Sequence, residues 1–107
     1  WGMTLGQLKD LQGRVELEKQ AVDLNRSPLT MCKVVERVII PETLGSGMGW
    51  ALLQNKADPL RPEFLISHTW SEFFDEFVDA ILCVNGLGDS SVVWICATAL
   101  YHTSAVM

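Results

Sequence analysis

The fold class is decided by one stretch, residues 64–96, which reads FLISHTWSEFFDEFVDAILCVNGLGDSSVVWIC. It opens with the apolar run Phe64, Leu65 and Ile66, and it closes with a second apolar run over residues 92–96. Neither run alternates with polar residues, a pattern typical of strands that are covered on both faces. The sequence therefore predicts two buried β-strands in this stretch.

A helix is predicted between the two strands. Ser71 is a suitable N-cap, and Asn85-Gly86 is a suitable stop because both residues tolerate a left-handed conformation. The apolar residues recur at i, i+3, i+4 and i+7, which places them on one helix face: Phe74, Phe77, Val78 and Ile81. The order strand–helix–strand favours a right-handed βαβ unit at the start of a parallel sheet, and hence an α/β protein. Because two strands do not form a stable sheet, we expect further strands beyond residue 107 or an edge supplied by a partner.

Residues 1–62 are predicted to form an α-helical extension and a linker, ahead of an incomplete α/β domain at residues 63–107. Thr4 and Gln7 have the spacing of a capping box. A helix is expected to follow from about residue 5 to residue 24, because apolar residues recur there at helical spacing: Leu8, Leu11, Val15 and Val22.

Two shorter helices are predicted in the rest of this extension. Thr30 can cap a helix whose apolar positions are 31, 34, 35 and 38, and we expect that helix to end before Pro41. The glycine-rich string GSGMG at residues 45–49 fits neither a phosphate loop nor a dinucleotide-binding motif. It predicts a flexible loop ahead of a short helix near residues 50–54.

Composition and charge exclude several classes of function. There are 13 Asp+Glu against 8 Lys+Arg, for a formal net charge of -5, which disfavours nucleic acid as a partner. Residues 90–107 carry no charged side chain. They contain too many Ser, Thr and His residues for a good membrane span, which needs about 20 predominantly apolar residues. We predict no membrane association; the alternative is a span that starts near Ser90.

The chain ends and the cysteines suggest an internal piece of an intracellular protein. The chain starts at Trp1 and stops at Met107 within an apolar stretch, so we expect a fragment; the alternative is a complete chain starting at Met3. The cysteines are odd in number and form no CxxC pair: Cys32, Cys83 and Cys96. They are expected to be reduced thiols in a cytoplasmic protein, with no metal site.

Acidic residues form a predicted stripe on the helix between the two strands. The spacing i, i+3, i+4, i+7 places four carboxylates on one face, opposite the phenylalanines: Glu72, Asp75, Glu76 and Asp79. This acidic stripe is either a solvated surface or a docking face, and the docking face would take a basic protein partner or a basic segment of the parent protein. Because an open face leaves the carboxylates solvated, no catalytic residue is assigned to it.

The strings FLISHTW (residues 64–70), FFDEFV (73–78) and VWICA (93–97) together resemble a TIR-like domain. They are most similar to the SH-x-W variety found in proteins of single-celled eukaryotes. In that variety a segment like VERVIIPET, residues 35–43, often precedes the first strand. The resemblance covers roughly residues 34–101 and implies a flavodoxin-like α/β fold.

The resemblance also implies what the chain does. TIR domains act as homotypic signalling scaffolds or as enzymes that cleave NAD. In the enzymes, the loop after the first strand borders the nucleotide pocket; here it is formed by Ser67, His68, Thr69 and Trp70. The family's catalytic glutamate lies on a later helix, so it has no counterpart among residues 1–107, and NAD is implied only for a longer parent protein.

Two functions are therefore expected. The first is an interaction or signalling domain that acts by self-association or by binding a protein partner. The alternative is a part of an NAD- or nucleotide-hydrolysing enzyme. Residues 67–70 are the candidate ligand-binding loop, although they can equally pack as structural residues at the strand end. Ser67 and His68 are not expected to form a catalytic pair, because adjacent strand residues point to opposite faces.

Overall fold

The computed structural model describes residues 1–21 and 28–103, so the predicted end of the first helix, including Val22, lies outside the described residues. Three short strands and six helices occur in these ranges, with a π-helical turn between α2 and α3. In chain order they are β1 (Met3–Thr4), α1 (Leu5–Ala21), α2 (Met31–Val34), the π-helical turn (Val35–Ile39), α3 (Ile40–Thr43), α4 (Trp50–Gln54), β2 (Phe64–Ile66), α5 (Phe74–Leu82), β3 (Val92–Ile95) and α6 (Cys96–Ala99). The chain has a mixed α/β fold.

The three strands form one mixed sheet in the order β1-β3-β2. β2 and β3 run parallel, with Leu65 in register with Trp94, and α5 connects them. This confirms the predicted strand–helix–strand unit. β1 pairs antiparallel with the other edge of β3, with Met3 in register with Val93. That third strand was not predicted, because two residues carry no recognisable strand pattern.

The prediction that both parallel strands are buried is wrong for β2. Val93 and Ile95 of β3 are buried, but Phe64 and Leu65 of β2 are 46% and 77% exposed. The physical reason is position: β3 is central, whereas β2 lies at an edge of the sheet with its outer side unpaired in the described part of the chain. An uninterrupted apolar run thus occurs here on an edge strand.

The hydrophobic core lies on the sheet face to which Met3, Val93 and Ile95 belong, and all three side chains are buried. α1 packs against α5 in this core. The predicted apolar faces of the two helices are confirmed in the described residues, since all of these side chains are buried: Leu8, Leu11, Val15, Phe74, Phe77, Val78 and Ile81.

The helix that starts at Met31 does not stop before Pro41. It continues through the π-helical turn into α3, which ends at Thr43. In a regular α-helix the proline ring would clash with the carbonyl of Arg37, four residues earlier, and the wider π-helical turn relieves this crowding. The predicted end of the helix is therefore wrong, whereas its predicted apolar face is confirmed, because these side chains are buried: Met31, Val34, Val35 and Val38.

Of three predictions about helix starts, two are confirmed and one is wrong. The capping box is confirmed: the Thr4 N–H donates to Gln7 Oε1 at 3.0 Å, and the Gln7 N–H donates to Thr4 Oγ1 at 3.1 Å. The predicted cap at Ser71 is wrong, because α5 begins at Phe74, whose N–H donates to the carbonyl of Leu29 at 2.8 Å. The short helix near residues 50–54 is confirmed as α4.

Among residues 1–21 and 28–103, no helix combines the length and the apolar composition that crossing a membrane requires.

Candidate functional site

A pocket of about 300 Å³ opens where the parallel strands β2 and β3 end. The carboxyl ends of parallel strands are where ligands usually bind in open α/β sheets. The lining is mostly apolar and aromatic and carries no Asp, Glu, Lys or Arg: Leu65, Ile66, Ser67, His68, Trp70, Trp94 and Cys96. Three of the four predicted loop residues, Ser67, His68 and Trp70, thus line one pocket, whereas Thr69 is exposed beside it.

His68 points away from open solvent, into an aromatic cluster. Its ring lies 4.7 Å from the Trp70 ring and 5.6 Å from the Phe77 ring, both edge-on. Its Nδ1 lies 3.3 Å from the carbonyl oxygen of Thr69, and because a carbonyl only accepts, that contact places the proton on Nδ1. The buried Nε2 has no hydrogen-bond partner within the described residues. His68 therefore holds the loop through packing and one backbone contact.

Trp70 is packed between two imidazole rings. Besides His68 on one side, the ring of His102 lies 5.9 Å from it at a near-perpendicular angle. The Nε2 of His102 in turn contacts the carbonyl of Ala97 at 3.1 Å, just after the start of α6. The indole is thus fixed as a wall of the pocket by aromatic contacts.

The loop backbone also caps the start of α2. The N–H of Met31 donates to the carbonyl of Glu72 at 2.8 Å, and the N–H of Cys32 donates to the carbonyl of Trp70 at 3.0 Å. These are two of the first-turn N–H groups, which have no partner inside a helix. The Glu72 carboxylate accepts from the N–H of Thr69 at 3.1 Å and closes the turn between them. The loop is therefore held in place at both its side chains and its backbone.

The side chains of the pocket favour binding over acid–base chemistry. Burial raises the pKa of the Cys96 thiol, so at neutral pH it is protonated and a poor nucleophile. Ser67 is exposed, and within the described residues no basic side chain is hydrogen-bonded to its hydroxyl. A pocket with these walls can hold an uncharged apolar or aromatic group.

The acidic stripe does not form one open helix face. Glu72 precedes α5 and closes the loop turn, as described above. Asp75 accepts a hydrogen bond from Lys19 Nζ of α1 at 2.8 Å, and its other carboxylate oxygen is buried. Glu76 and Asp79 are exposed on α5. Only these last two carboxylates are open to a basic partner.

Lys19 is the charged group most enclosed by the fold among the ion pairs described, with a side chain 10% exposed. Burial acts to lower its pKa, but hydrogen bonds and charge from Asp75 and Glu16 outweigh it and raise the pKa above its ordinary value. The ammonium therefore stays charged at neutral pH and joins α1 to α5 through Asp75.

Sequence reasoning missed five residues of this region: Leu65, Ile66, Trp94, Cys96 and His102. The signal for Leu65 and Trp94 is the strand register, which places them side by side on the sheet face opposite the core. Register is not readable from two short apolar runs. His102 contacts Trp70 only because α6 follows β3 without a loop.

In the part of the chain that the structure describes, no three His, Cys, Asp or Glu side chains are grouped so as to hold a metal ion. No disulfide joins any of the three cysteines. Comparisons of the chain with models of known protein families, with curated proteins and with solved structures found no match.

Proposed function

We propose that this chain is a TIR-like interaction domain that associates with another protein chain through the outer edge of β2. One observation carries the proposal: β2 has no strand on its outer side in the described residues, and it exposes Phe64 and Leu65 there. An unpaired, apolar edge strand is a template for strand addition.

β2 carries neither of two common blocks on strand pairing. Its three residues include no charged side chain and no proline, which are the common ways to block pairing. Pro62 and Glu63 precede it and leave Phe64, Leu65 and Ile66 unshielded. The exposed surface continues onto the open sheet face, where Leu65 lies in register with the half-buried Trp94. This combination supports a binding edge rather than a solvated one.

The test is association measured by sedimentation velocity over a wide range of protein concentration. Leu65→Lys should weaken association at least about tenfold, since burying a leucine contributes about 1.5–3 kcal/mol and about 1.4 kcal/mol is a tenfold change. Leu44→Lys is a matched control, because Leu44 is also 77% exposed but follows α3. If both variants associate as strongly as the native chain, the result would contradict association through the β2 edge.

The acidic residues provide a second arm of the same test. A Glu76→Lys, Asp79→Lys double variant reverses the two exposed carboxylates of α5 and leaves β2 unchanged. If the molecules instead associate through the acidic residues of α5 and a basic surface of the second molecule, this variant loses association and Leu65→Lys does not. The proposal expects the opposite result.

A second candidate function is nucleotide binding by a longer protein that contains this chain. It is supported by the place of the pocket, at the carboxyl ends of two parallel strands. NAD titrated against the chain should then change tryptophan fluorescence saturably. The change should be lost in Trp70→Ala and kept in Trp1→Phe, because Trp1 lies outside the pocket. The absence of any change would remove this candidate for the present chain.

A further inference from the structure

The pairing of β1 with β3 determines which backbone groups of β3 face β2. In this antiparallel pair the N–H of Leu5 donates to the carbonyl of Ser91 at 3.0 Å. Because successive residues of a strand direct their N–H and C=O groups to opposite sides, the groups of Val93 also face β1. The groups of Trp94 therefore face β2.

Leu65 consequently directs its own N–H and C=O away from β3. It is in register with Trp94, and in a parallel pair the groups of one residue bond to the two neighbours of its register partner. Phe64 and Ile66 are thus the residues of β2 that face Trp94. Within the described residues no strand lies on the outer side of β2, so the N–H and C=O of Leu65 are open to an added strand.

The pocket opens beside these same backbone groups. Leu65 and Trp94 lie side by side on the sheet face opposite the core, and both line the pocket. Opposed residues of neighbouring strands point to one face, so a residue of an added strand opposite Leu65 would point to the pocket face. Its side chain would meet walls that include two indole rings and carry no charged side chain, and a volume of about 300 Å³ accepts an aromatic ring.

The charges near this edge favour a basic segment. Glu63 directly precedes β2, and Glu72 lies in the loop that follows, where its carboxylate accepts from the N–H of Thr69 at 3.1 Å. Arg61 is the nearest basic residue in the sequence. Residues 62–107 contain six Asp and Glu residues and no Lys or Arg. The charge of this part of the chain thus attracts basic and repels acidic flanks on an added segment.

We propose that the partner at this edge is an extended segment of a different protein, with one aromatic side chain that enters the pocket and basic residues on either side. The segment adds to β2 through the N–H and C=O of Leu65. A second copy of the chain fits less well, because its β2 is flanked by Glu63 and Ser67 and supplies no basic neighbour. This inference rests on the proposed function, because it names the partner of the same β2 edge.

The test is the binding of synthetic peptides, measured by fluorescence anisotropy of a dye on the peptide N-terminus. The probe is the C-terminally amidated peptide KTVFVTK, which offers its central phenylalanine to the pocket. Replacing that phenylalanine by alanine should weaken binding at least about tenfold, because no ring is then buried. Acidic flanks, as in ETVFVTE, should weaken binding about threefold or more at low ionic strength. Equal binding of the alanine peptide would overturn insertion into the pocket, and equal binding of ETVFVTE would overturn the basic character of the partner.

Hydrogen exchange of the native chain shows where the peptide binds. With saturating KTVFVTK, the amide of Leu65 should exchange at least about tenfold more slowly, because it gains a hydrogen-bond acceptor. The amide of Ile66, which faces β3, should change little. Equal slowing of both amides, or no slowing of Leu65 when the peptide is bound, would overturn the addition to β2.

Trp94→Ala tests the pocket wall. It should reduce the preference for phenylalanine over alanine at the centre of the peptide to less than about threefold, since one indole wall is lost. Trp1→Ala is the matched control, because Trp1 is 48% exposed and lies outside the pocket, and it should keep the full preference. Circular dichroism checks that both variants are folded. A preference that survives Trp94→Ala in a folded chain would overturn insertion into the pocket, and hydrogen exchange of the native chain decides where this variant does not fold.

The outcomes separate the two proposals. The self-association tested above uses the same backbone groups of β2 but needs no aromatic side chain in the pocket. If Leu65→Lys weakens self-association while KTVFVTK does not bind, the edge takes a second copy of the chain, and this inference fails while the proposed function stands. If Leu65→Lys has no effect and KTVFVTK does not slow exchange at Leu65, both fail.

Discussion

β2 and β3 lie side by side, run parallel and have almost the same apolar composition, yet their surroundings differ. At matched positions of the register, Ile95 is 1% exposed and Ile66 is half-buried, while Leu65 is among the most exposed large apolar residues of the described chain. β3 is paired on both sides, by β1 and by β2, and β2 on one side only. In this sheet the number of neighbouring strands, rather than side-chain type, separates a buried strand from an exposed strand.

The largest effect is expected in the helix that connects the two strands. Phe77→Ala removes a buried ring from α5 and should lower the free energy of unfolding by about 3–5 kcal/mol. Phe73→Ala is the matched control, because Phe73 is 40% exposed and should change stability much less. Urea denaturation measures both, and equal losses would contradict the assignment of the buried helix face.

The next prediction tests the contrast between the strands directly. Ile95→Ala in β3 should cost about 2–5 kcal/mol. Leu65→Ala in β2 should stay within about 0.5 kcal/mol of the native chain, as for other exposed positions. The pair is compared by thermal unfolding at low protein concentration, so that association does not stabilise β2. A large loss for Leu65→Ala under those conditions would show that β2 is covered within a single chain.

Ion pairs should show the same contrast between enclosed and exposed positions. Lys19→Met should cost about 1.5–3 kcal/mol, since hydrogen bonds to charged groups contribute about that much. Lys9→Met is its control, because the Lys9–Asp89 pair, at 2.6 Å, is exposed at both ends and such pairs contribute about 0–1 kcal/mol. If chemical denaturation gives equal losses, the Lys19–Asp75 contact does not join α1 to α5.

The same pair predicts a pH dependence with a definite sign. The pKa of Lys19 is raised in the folded chain, so its contribution to stability is complete below the ordinary lysine pKa of about 10.4 and is lost as pH rises through the folded value. The stability difference between the native chain and Lys19→Met should therefore be constant from neutral pH to about pH 9 and shrink above about pH 10.4. A difference that shrinks toward acid would contradict it.

The smallest effect is expected at the other edge of the sheet, where β1 leads directly into α1. Thr4→Ala removes one of the two capping-box hydrogen bonds and should cost about 1 kcal/mol. Thr4→Ser keeps the hydroxyl and should recover most of the loss. If serine and alanine are equally destabilising, the threonine acts through its methyl group rather than as a cap.

Features of the fold that depend on neighbouring residues could be predicted, whereas those that depend on distant pairing could not. The Thr4–Gln7 capping box, the buried face of α5 and the short helix α4 each depend on side chains a few residues apart. The strand β1, the edge position of β2 and the passage of the helix through Pro41 depend on pairing or on helix geometry that the local pattern does not encode.

The candidate site shows the same limit. The loop Ser67–Trp70 was predicted from the resemblance that the string FLISHTW carries, and three of its four members line the pocket. The opposite wall, Trp94 and Cys96, belongs to a strand and a helix about 25 residues further along the chain and meets the loop only through the β2–β3 register. The four acidic residues do not form one exposed helix face, because Asp75 accepts a hydrogen bond from Lys19 of α1 and Glu72 precedes α5.

The hydrogen bonds from the loop carbonyls of Trp70 and Glu72 to the start of α2 also determine where the chain can be lengthened. Every amino acid has a backbone carbonyl, so these two hydrogen bonds do not themselves require a particular side chain at position 70 or 72. An insertion or deletion between residues 69 and 73 would move both acceptors away from their donors. The turn at residues 84–86 is exposed and caps no other helix in the described residues, so a tag or fusion partner is best placed there. We therefore expect an insertion to be tolerated in that turn and not in the loop between β2 and α5.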